Sequence, residues 1–256
     1  MILRFFRRPY QPVIHPKEIT ALFDPVNNVV MDWSPKVGCT ILTKMFFRQM
    51  GLLEKALEYH SWIHEYRMHV FSKEFPTQLS DILHPENYTF KVVRNPYIRA
   101  VSAYIHTMKK SVMHPPVAGV LNRKDANISF EQFVEFLSKS DLTSCDPHYA
   151  LQKKYFEFDH PGCFRKIVHL ENLEAGIREV NEEGRQHFDL TGLSSHHHAE
   201  IADGFTKDAH RIRWSDLADQ IPPHLSFFNT ELANKVYHLY KADFEDYGYS
   251  SKLPES

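Results

Sequence analysis

The chain contains no long hydrophobic run, and this absence argues against a membrane-spanning protein. No stretch of its 256 residues approaches the ~20 consecutive apolar residues that a helix needs to cross a bilayer. The first ten residues, MILRFFRRPY, also lack the apolar segment and the small-residue cleavage site of a secretory signal. We therefore expect a soluble protein with no transmembrane segment.

Cysteine is scarce as well. The three cysteines, Cys39, Cys145 and Cys163, form an odd set without CxxC spacing. Such a set indicates neither a disulfide framework nor a thiolate zinc site. A reducing cytoplasm is therefore the expected location.

The chain also lacks a large excess of charge of either sign. Its 30 Lys and Arg residues nearly balance its 32 Asp and Glu residues, so the formal net charge is −2. That balance gives no overall attraction to nucleic acid, and any anion site must come from a local concentration of basic residues. A hydrophobic content of 43% is typical of a globular protein, and we expect residues 1–256 to form one α/β domain.

The most informative segment that is present is NVVMDWSPKVGCTILTKMFF, residues 28–47. An apolar run, then turn residues, then apolar residues at helical spacing predict a buried strand ending near Trp33 and a helix beginning close to Gly38. The first N–H groups of a helix have no partners within it and lie at its positive end, so they stabilise an anion. Lys36 would add a mobile positive charge. The segment therefore predicts a phosphate-binding loop.

This loop departs from the one that nucleotide triphosphatases use. Its lysine precedes its glycine, and no Gly-Lys-Ser/Thr sequence occurs in the chain. A clear magnesium-binding aspartate after a strand is also missing. A P-loop kinase that uses ATP and Mg²⁺ is therefore kept only as an alternative.

A second segment, FKVVRNPYIRAVSAY at residues 90–104, repeats the order of strand, basic residue, turn and helix. Arg94 is predicted at the end of the strand, where ligands of open α/β sheets bind. Ser102 follows about two helical turns later. These two donors are expected to meet one anion.

These segments resemble the nucleotide-binding motifs of carbohydrate sulfotransferases, the Golgi carbohydrate and heparan-type enzymes and their bacterial relatives. PKVGCT is similar to their loop for the 5′-phosphosulfate of PAPS (3′-phosphoadenosine 5′-phosphosulfate). VRNPYIRAVSAY is similar to their 3′-phosphate motif, in which arginine and serine stand eight positions apart. Three weaker similarities follow in order, at DPHYALQ (residues 146–152), VHLENLEAGI (168–177) and LYKADFEDYGY (239–249).

The resemblance implies an α/β fold with a P-loop-like central parallel β-sheet flanked by helices. It implies an enzyme that moves the sulfuryl group of PAPS in line to a hydroxyl of a carbohydrate or glycoconjugate, with 3′,5′-ADP as product and no metal. The residues it assigns to the co-substrate are Pro35, Lys36, Val37, Gly38, Cys39, Thr40, Arg94 and Ser102. A nucleotide-binding protein that has lost its chemistry is the other alternative. Because animal relatives often carry a Golgi anchor, the absence of one favours a soluble bacterial-type enzyme or an excised domain.

Lys36 is the residue expected to stabilise the leaving phosphate. For the general base we place His148 first, because it lies in the DPHYALQ segment, and His60 and His64 next. The spacing of His60 and His64 also fits a metal pair, and His196–His198 fits a ligand cluster, although we expect no metal. Glu171 is a candidate for orienting the base or the acceptor.

One basic residue of the second segment is given no role in the site. For Arg99 we leave open that its side chain simply faces solvent.

Overall fold

Four strands build the central sheet of the computed structural model, which describes residues 19–110, 114–194, 208–217 and 221–254. They are β1 (Leu22–Asp24), β2 (Val29–Trp33), β3 (Tyr88–Val93) and β4 (Lys166–His169), and they lie in that order across the sheet. Strands β2, β3 and β4 are parallel, whereas β1 pairs with β2 in the antiparallel sense. The predicted α/β class is confirmed, and β1 adds an antiparallel edge that was not predicted.

Helices make up most of the remaining ordered structure. They are α1 (Cys39–Gln49), α2 (Leu53–Tyr59), α3 (Ile63–Tyr66), α4 (Ser72–Glu74), α5 (Leu79–Leu83), α6 (Pro96–Lys109), α7 (His114–Val120), α8 (Phe130–Ser138), α9 (Tyr155–Asp159), α10 (Leu173–Gly184), α11 (Trp214–Leu217), α12 (Thr230–Leu239) and α13 (Lys241–Asp246). A π-helical turn, Arg67–Phe71, joins α3 to α4, and 3₁₀ turns cover Leu170–Asn172, Ala209–Arg211 and His224–Phe227. Within the described ranges no helix has the length and apolar character needed to cross a bilayer.

The local predictions around the first loop are confirmed. Strand β2 is buried along its whole length and ends at Trp33, as the apolar run indicated. Helix α1 begins at Cys39, directly after Gly38, which occupies the N-cap position. The loop between them, residues 34–38, is called the phosphate loop below.

Aromatic packing fixes the two helices that border this edge of the sheet. On α1, the ring of Phe47 packs 4.9 Å from that of Phe71 in a cluster that also contains Phe90 of β3. On α6, the ring of Tyr104 lies 5.7 Å from that of Phe130, in a second cluster that includes α8 and α12. Buried aromatic contacts of this kind contribute much of the stability of a core. The helices therefore hold the groups at their N-termini in fixed positions.

The carboxyl ends of the three parallel strands meet at one edge. Trp33 at the end of β2 pairs with Val92, and Val93 at the end of β3 pairs with His169 at the end of β4. The residues that follow each strand consequently share that edge, which is where open α/β sheets bind ligands. The phosphate loop and Arg94 are both placed there.

Candidate active site

The phosphate loop has a strained backbone. Lys36 has φ of +75° and Gly38 has φ of +81°, both in the left-handed region. A Cβ atom at position 38 would also stand only 3.1 Å from Cδ1 of Leu170, so a glycine is needed there. For Lys36 the left-handed conformation costs about 1–3 kcal/mol, which the surrounding contacts must offset.

Two arginines supply these contacts. Nη1 of Arg94 donates to the carbonyl oxygen of Lys36 at 3.0 Å, and Nε of Arg99 donates to the carbonyl oxygen of Pro35 at 3.1 Å. Consecutive carbonyls of the loop are thus held by charged donors, whose hydrogen bonds are stronger than those between neutral groups. The loop is therefore fixed in its strained shape.

The N-terminus of α1 offers the donors that the sequence predicted. Leu42 is the first residue whose N–H bonds within the helix, to the carbonyl oxygen of Gly38 at 3.1 Å. The N–H groups of Cys39, Thr40 and Ile41 therefore stand at the positive end of the helix without an intrahelical acceptor. This arrangement stabilises an anion.

Arg94 is held by a glutamine that the sequence analysis gave no role. The backbone N–H of Arg94 donates to Oε1 of Gln152, and its carbonyl oxygen accepts from Nε2 of Gln152, both at 2.9 Å. Gln152 is fully buried, and its side-chain amide bonds both backbone groups of Arg94 as an adjacent strand would. Asn95 then caps α6 by accepting the N–H of Tyr97 at 2.9 Å. These bonds set the direction in which Arg94 leaves the sheet.

Helix α6 presents a polar stripe to the phosphate loop. Arg99, Ser102, His106 and Lys109 follow one another at separations of three and four residues, so they share one face of the helix. The charges of Arg99 and Lys109 both act on Lys36, which places this face toward the loop. His106 belongs to the site although the sequence analysis did not select it. The sequence signal for His106 was its position four residues after Ser102 in a mostly apolar helix, which places the two side chains on one face.

The electrostatic state of Lys36 reflects this crowding of positive charge. Burial lowers the pKa of Lys36, the nearby Cys39 opposes this shift, and the charges of Arg94, Arg99 and Lys109 lower the pKa further. Each of these cations disfavours the others until an anion is present. The edge of the sheet is therefore prepared for a negatively charged ligand.

Two histidines beside these cations stay neutral. Burial, the neighbouring His148 and the charge of Lys36 lower the pKa of His106 to about 3. Burial and the charge of Arg94 lower the pKa of His224 to about 4. At neutral pH these rings are polar but uncharged, and their hydrogen-bonding groups border the anion site.

His148 is oriented by a carboxylate. Nδ1 of His148 lies 2.7 Å from Oδ1 of Asp146, which also accepts the backbone N–H of His148 at 2.9 Å. Burial alone would raise the pKa of Asp146, but the hydrogen bonds from His148 hold it below its ordinary value. An ionised Asp146 accepts the Nδ1 proton, and this assignment leaves Nε2 of His148 as a proton acceptor. The side chain is 32% exposed, so a substrate can reach it.

The ring of His106 covers one face of His148. The two ring centroids are 4.2 Å apart and the rings are inclined by 19°. Because His106 is on the polar stripe, this stacking brings the predicted base next to the cations around the phosphate loop. His148 and Lys36 both act on His106, so both groups lie near this ring.

Arg99 does not face solvent. Its side chain is buried, with 1% of the residue exposed, and Nη1 and Nη2 donate to the carbonyl oxygens of Ala150 and Pro147 at 2.7 and 3.2 Å. The solvent-facing interpretation is therefore wrong, and the reason lies in the partners of the guanidinium nitrogens. They find backbone carbonyls that are distant in sequence.

The other candidate histidines are separated from each other. His60 is exposed at the C-cap of α2, and its Nδ1 accepts the N–H of Trp62 at 2.9 Å. His64 is buried in α3, with Nε2 at 3.4 Å from Oγ1 of Thr40, so it contacts the first turn of α1. The break between α2 and α3 removes the common helical face that their spacing suggested. In the described part of the chain, no group of three or more metal-ligating side chains is present, and His196–His198 lie outside it.

Glu171 orders the edge of the sheet. Its Oε1 accepts the backbone N–H of Asn95 at 2.8 Å, and its Oε2 accepts the hydroxyl of Tyr249 at 3.0 Å. Oε1 thereby ties the turn after β4 to the turn after β3, and Oε2 ties it to the C-terminal segment. Glu171 supports the position of Arg94.

Comparison with known proteins places the chain in a family. The profile of the sulfotransferase family matches residues 20–250, which is nearly the whole chain, and the protein belongs to that family. The match extends slightly beyond the segments whose similarity was noted from the sequence. No curated protein and no solved structure matches the chain significantly. Family membership indicates sulfuryl transfer to an acceptor as the class of reaction.

Proposed function

We propose that the protein transfers the sulfuryl group of PAPS to a hydroxyl of a carbohydrate or glycoconjugate and releases 3′,5′-ADP. The observation that carries this proposal is the gathering of Lys36, Arg94 and the polar stripe of α6 around the N-terminus of α1. A doubly anionic nucleotide end needs such a local concentration of donors, because the formal net charge of −2 gives no overall attraction to an anion.

The two ends of the nucleotide would use different parts of this edge. We assign the 5′-phosphosulfate to the segment from Pro35 to Thr40, where the N–H groups at the start of α1 lack intrahelical acceptors. We assign the 3′-phosphate to Arg94 and Ser102, which follow the neighbouring strand. The arrangement of two adjacent parallel strands supports a nucleotide lying across the carboxyl edge of the sheet.

The reaction has two needs that the site can meet. As the acceptor oxygen forms its bond to sulfur, the bond from sulfur to the 5′-phosphate oxygen breaks and its electron pair stays on that oxygen. Lys36 would stabilise the resulting negative charge. Nε2 of His148 would accept the proton that the acceptor hydroxyl loses, while Asp146 stabilises the imidazolium that forms.

His148 is preferred to His60 as the base on structural grounds. His148 stacks on His106 beside the cations of the loop, whereas His60 is exposed at the end of α2 and accepts a backbone N–H through Nδ1. The choice of a carbohydrate or glycoconjugate as acceptor is supported by the resemblance of the DPHYALQ and C-terminal segments to carbohydrate-acting relatives.

Titration with 3′,5′-ADP tests the nucleotide site. We expect metal-independent binding that Arg94→Ala weakens about 10- to 100-fold, because a charge-assisted hydrogen bond contributes about 1.5–3 kcal/mol. Ser102→Ala should weaken it less, since its hydroxyl is neutral. Arg178→Ala, an exposed arginine of α10, serves as the matched control and should leave the affinity unchanged.

The titration, together with assays of ATP turnover and of sulfuryl transfer, can contradict the proposal. An absence of 3′,5′-ADP binding would rule out the assigned site, and ATP turnover that depends on Mg²⁺ would favour a kinase instead. Tight binding without transfer from PAPS to any of a panel of sugar acceptors would identify a nucleotide-binding protein without activity.

Lys36→Met tests the assigned role of the lysine in the transfer step. Removing a donor that acts on developing charge typically lowers kcat about 10²- to 10³-fold. Initial rates with PAPS should fall by this amount, while the affinity for 3′,5′-ADP falls far less. Lys124→Met removes an exposed lysine and is the control. Equal losses of affinity and rate would show that Lys36 acts in binding alone.

A further inference from the structure

One buried guanidinium connects two parts of the site that are far apart in the chain. Arg99 donates to the carbonyl oxygen of Pro35, which precedes Lys36, and to those of Pro147 and Ala150, on either side of His148. We propose that Arg99 is a positioning residue that fixes the phosphate loop against the segment carrying His148. This inference rests on the proposed function, because the relative position of Lys36 and His148 matters only if both act in the transfer.

The chemistry of the three contacts favours a geometric role. All three acceptors are backbone carbonyls, and no carboxylate lies within ion-pair distance of Arg99 in the described ranges. A planar guanidinium with five donors can hold carbonyls in fixed directions, whereas an ammonium group cannot. A buried charge is costly unless it is hydrogen-bonded and offset by opposite charge. Here three backbone carbonyls bond Arg99, and its charge also acts on the buried carboxylate of Asp243.

Other contacts show which property should depend on Arg99. Arg94 is anchored through its backbone by Gln152, at 2.9 Å for both bonds, independently of Arg99. The 3′-phosphate site should therefore survive the loss of Arg99. The left-handed conformation of Lys36 is held partly by the bond to Pro35, so the relative position of Lys36 and His148 should not survive.

In-line transfer is sensitive to that relative position, because the acceptor oxygen must meet the base and the sulfur together. A displacement of the reacting groups by about 1 Å can lower the rate about 10²-fold. The effect of losing Arg99 is thus expected in kcat.

The first experiment compares Arg99→Lys, which keeps the charge but loses the planar fork, with wild type. We expect kcat to fall about 10²-fold while the Kd for 3′,5′-ADP and the KM for PAPS change by less than about threefold. Arg178→Lys, at an exposed position of α10, is the matched control. An unchanged kcat, or a parallel loss of kcat and nucleotide affinity, would overturn the proposal.

A second measurement does not depend on activity. Cys39 and Cys145 stand beside the two connected segments and Cys163 stands apart from them, so their rates of thiol modification report on each region. Burial raises the pKa of Cys145 to about 12 and keeps it unreactive. In Arg99→Lys the rates at Cys39 and Cys145 should rise several-fold together, with Cys163 unchanged.

The two measurements separate the possible failures. If wild type transfers no sulfate but the thiol rates change as expected, the connection stands and the proposed function is wrong. Unchanged thiol rates would overturn the connection whatever the activity. Arg99→Gln, which keeps amide donors, replaces Arg99→Lys if circular dichroism shows that the lysine variant is unfolded. If neither variant folds, Arg99 is required for the whole fold and the positioning role is rejected.

Discussion

The His148→Gln variant is expected to lose about 10²- to 10⁴-fold in kcat, the range that a positioned general base contributes. Glutamine retains a polar group of similar reach but cannot accept the proton of the acceptor hydroxyl. Because Nε2 is the atom left as an acceptor by the bond to Asp146, the loss should appear in kcat more than in the affinity for 3′,5′-ADP. Initial rates at saturating PAPS, together with titration of the nucleotide, measure the two effects separately.

Three further variants define the origin of that loss. His84→Gln changes an exposed histidine and should leave kcat unchanged. Asp146→Asn should also lower kcat, because an amide does not stabilise the imidazolium as a carboxylate does. A large loss for His60→Gln, with His148→Gln fully active, would move the base to the end of α2.

The neutral state of His106 is consistent with this assignment of roles. Its ring lies 4.2 Å from that of His148, so two charged imidazoles would repel each other strongly at this distance. A pKa of about 3 keeps His106 uncharged at neutral pH. His148 can therefore take up a proton without facing a second cation at van der Waals contact.

The sequence predicted the elements of the site well, because they are encoded locally. The apolar run before Ser34, the helical spacing after Gly38 and the Asn-Pro turn after Arg94 each depend on neighbours within a few residues. Local preferences of this kind are present in the chain before it folds. The positions of β2, α1, β3 and α6 could be predicted for this reason.

The contacts that unite these elements could not be predicted in the same way. Gln152 bonds the backbone of Arg94 across 58 positions, and Arg99 reaches Pro35 across 64. Neither contact leaves a periodic pattern in the sequence. Regular spacing was even misleading for His60 and His64, because the chain turns extended at His60, with φ of −161° and ψ of 141°, and ends α2 there.

Strand β3 carries a buried charge in the middle of a pattern that is otherwise mostly apolar. Lys91, in the middle of this strand, is fully buried with Nζ 3.4 Å from Oδ2 of Asp32, and it also forms an ion pair with Glu157. Burial would lower the pKa of Lys91, but the two carboxylates outweigh it and raise the pKa above its ordinary value. Nζ also donates to the carbonyl oxygen of Gln152 at 2.7 Å, so this charge lies directly beneath the anchor of Arg94.

Lys91→Met should therefore destabilise the fold strongly and disturb the site at the same time. The change removes the cation that pairs with the buried Asp32 and Glu157, although the charge of Lys154 still acts on both. Removing one partner of a buried ion pair typically costs about 3–5 kcal/mol. Urea denaturation should show this loss, and adding Glu157→Gln to Lys91→Met should recover part of it. Lys166→Met is the matched control, because its partners Glu179 and Glu183 are about half exposed and such surface pairs contribute about 0–1 kcal/mol.

A loss for Lys91→Met no larger than that of the control would show that water or rearrangement already compensates the two carboxylates. In that case Gln152, and through it Arg94, is supported by Asp243, which accepts the backbone N–H of Gln152 at 2.9 Å, and by Ser34, whose hydroxyl donates to the carbonyl oxygen of Gln152 at 3.3 Å.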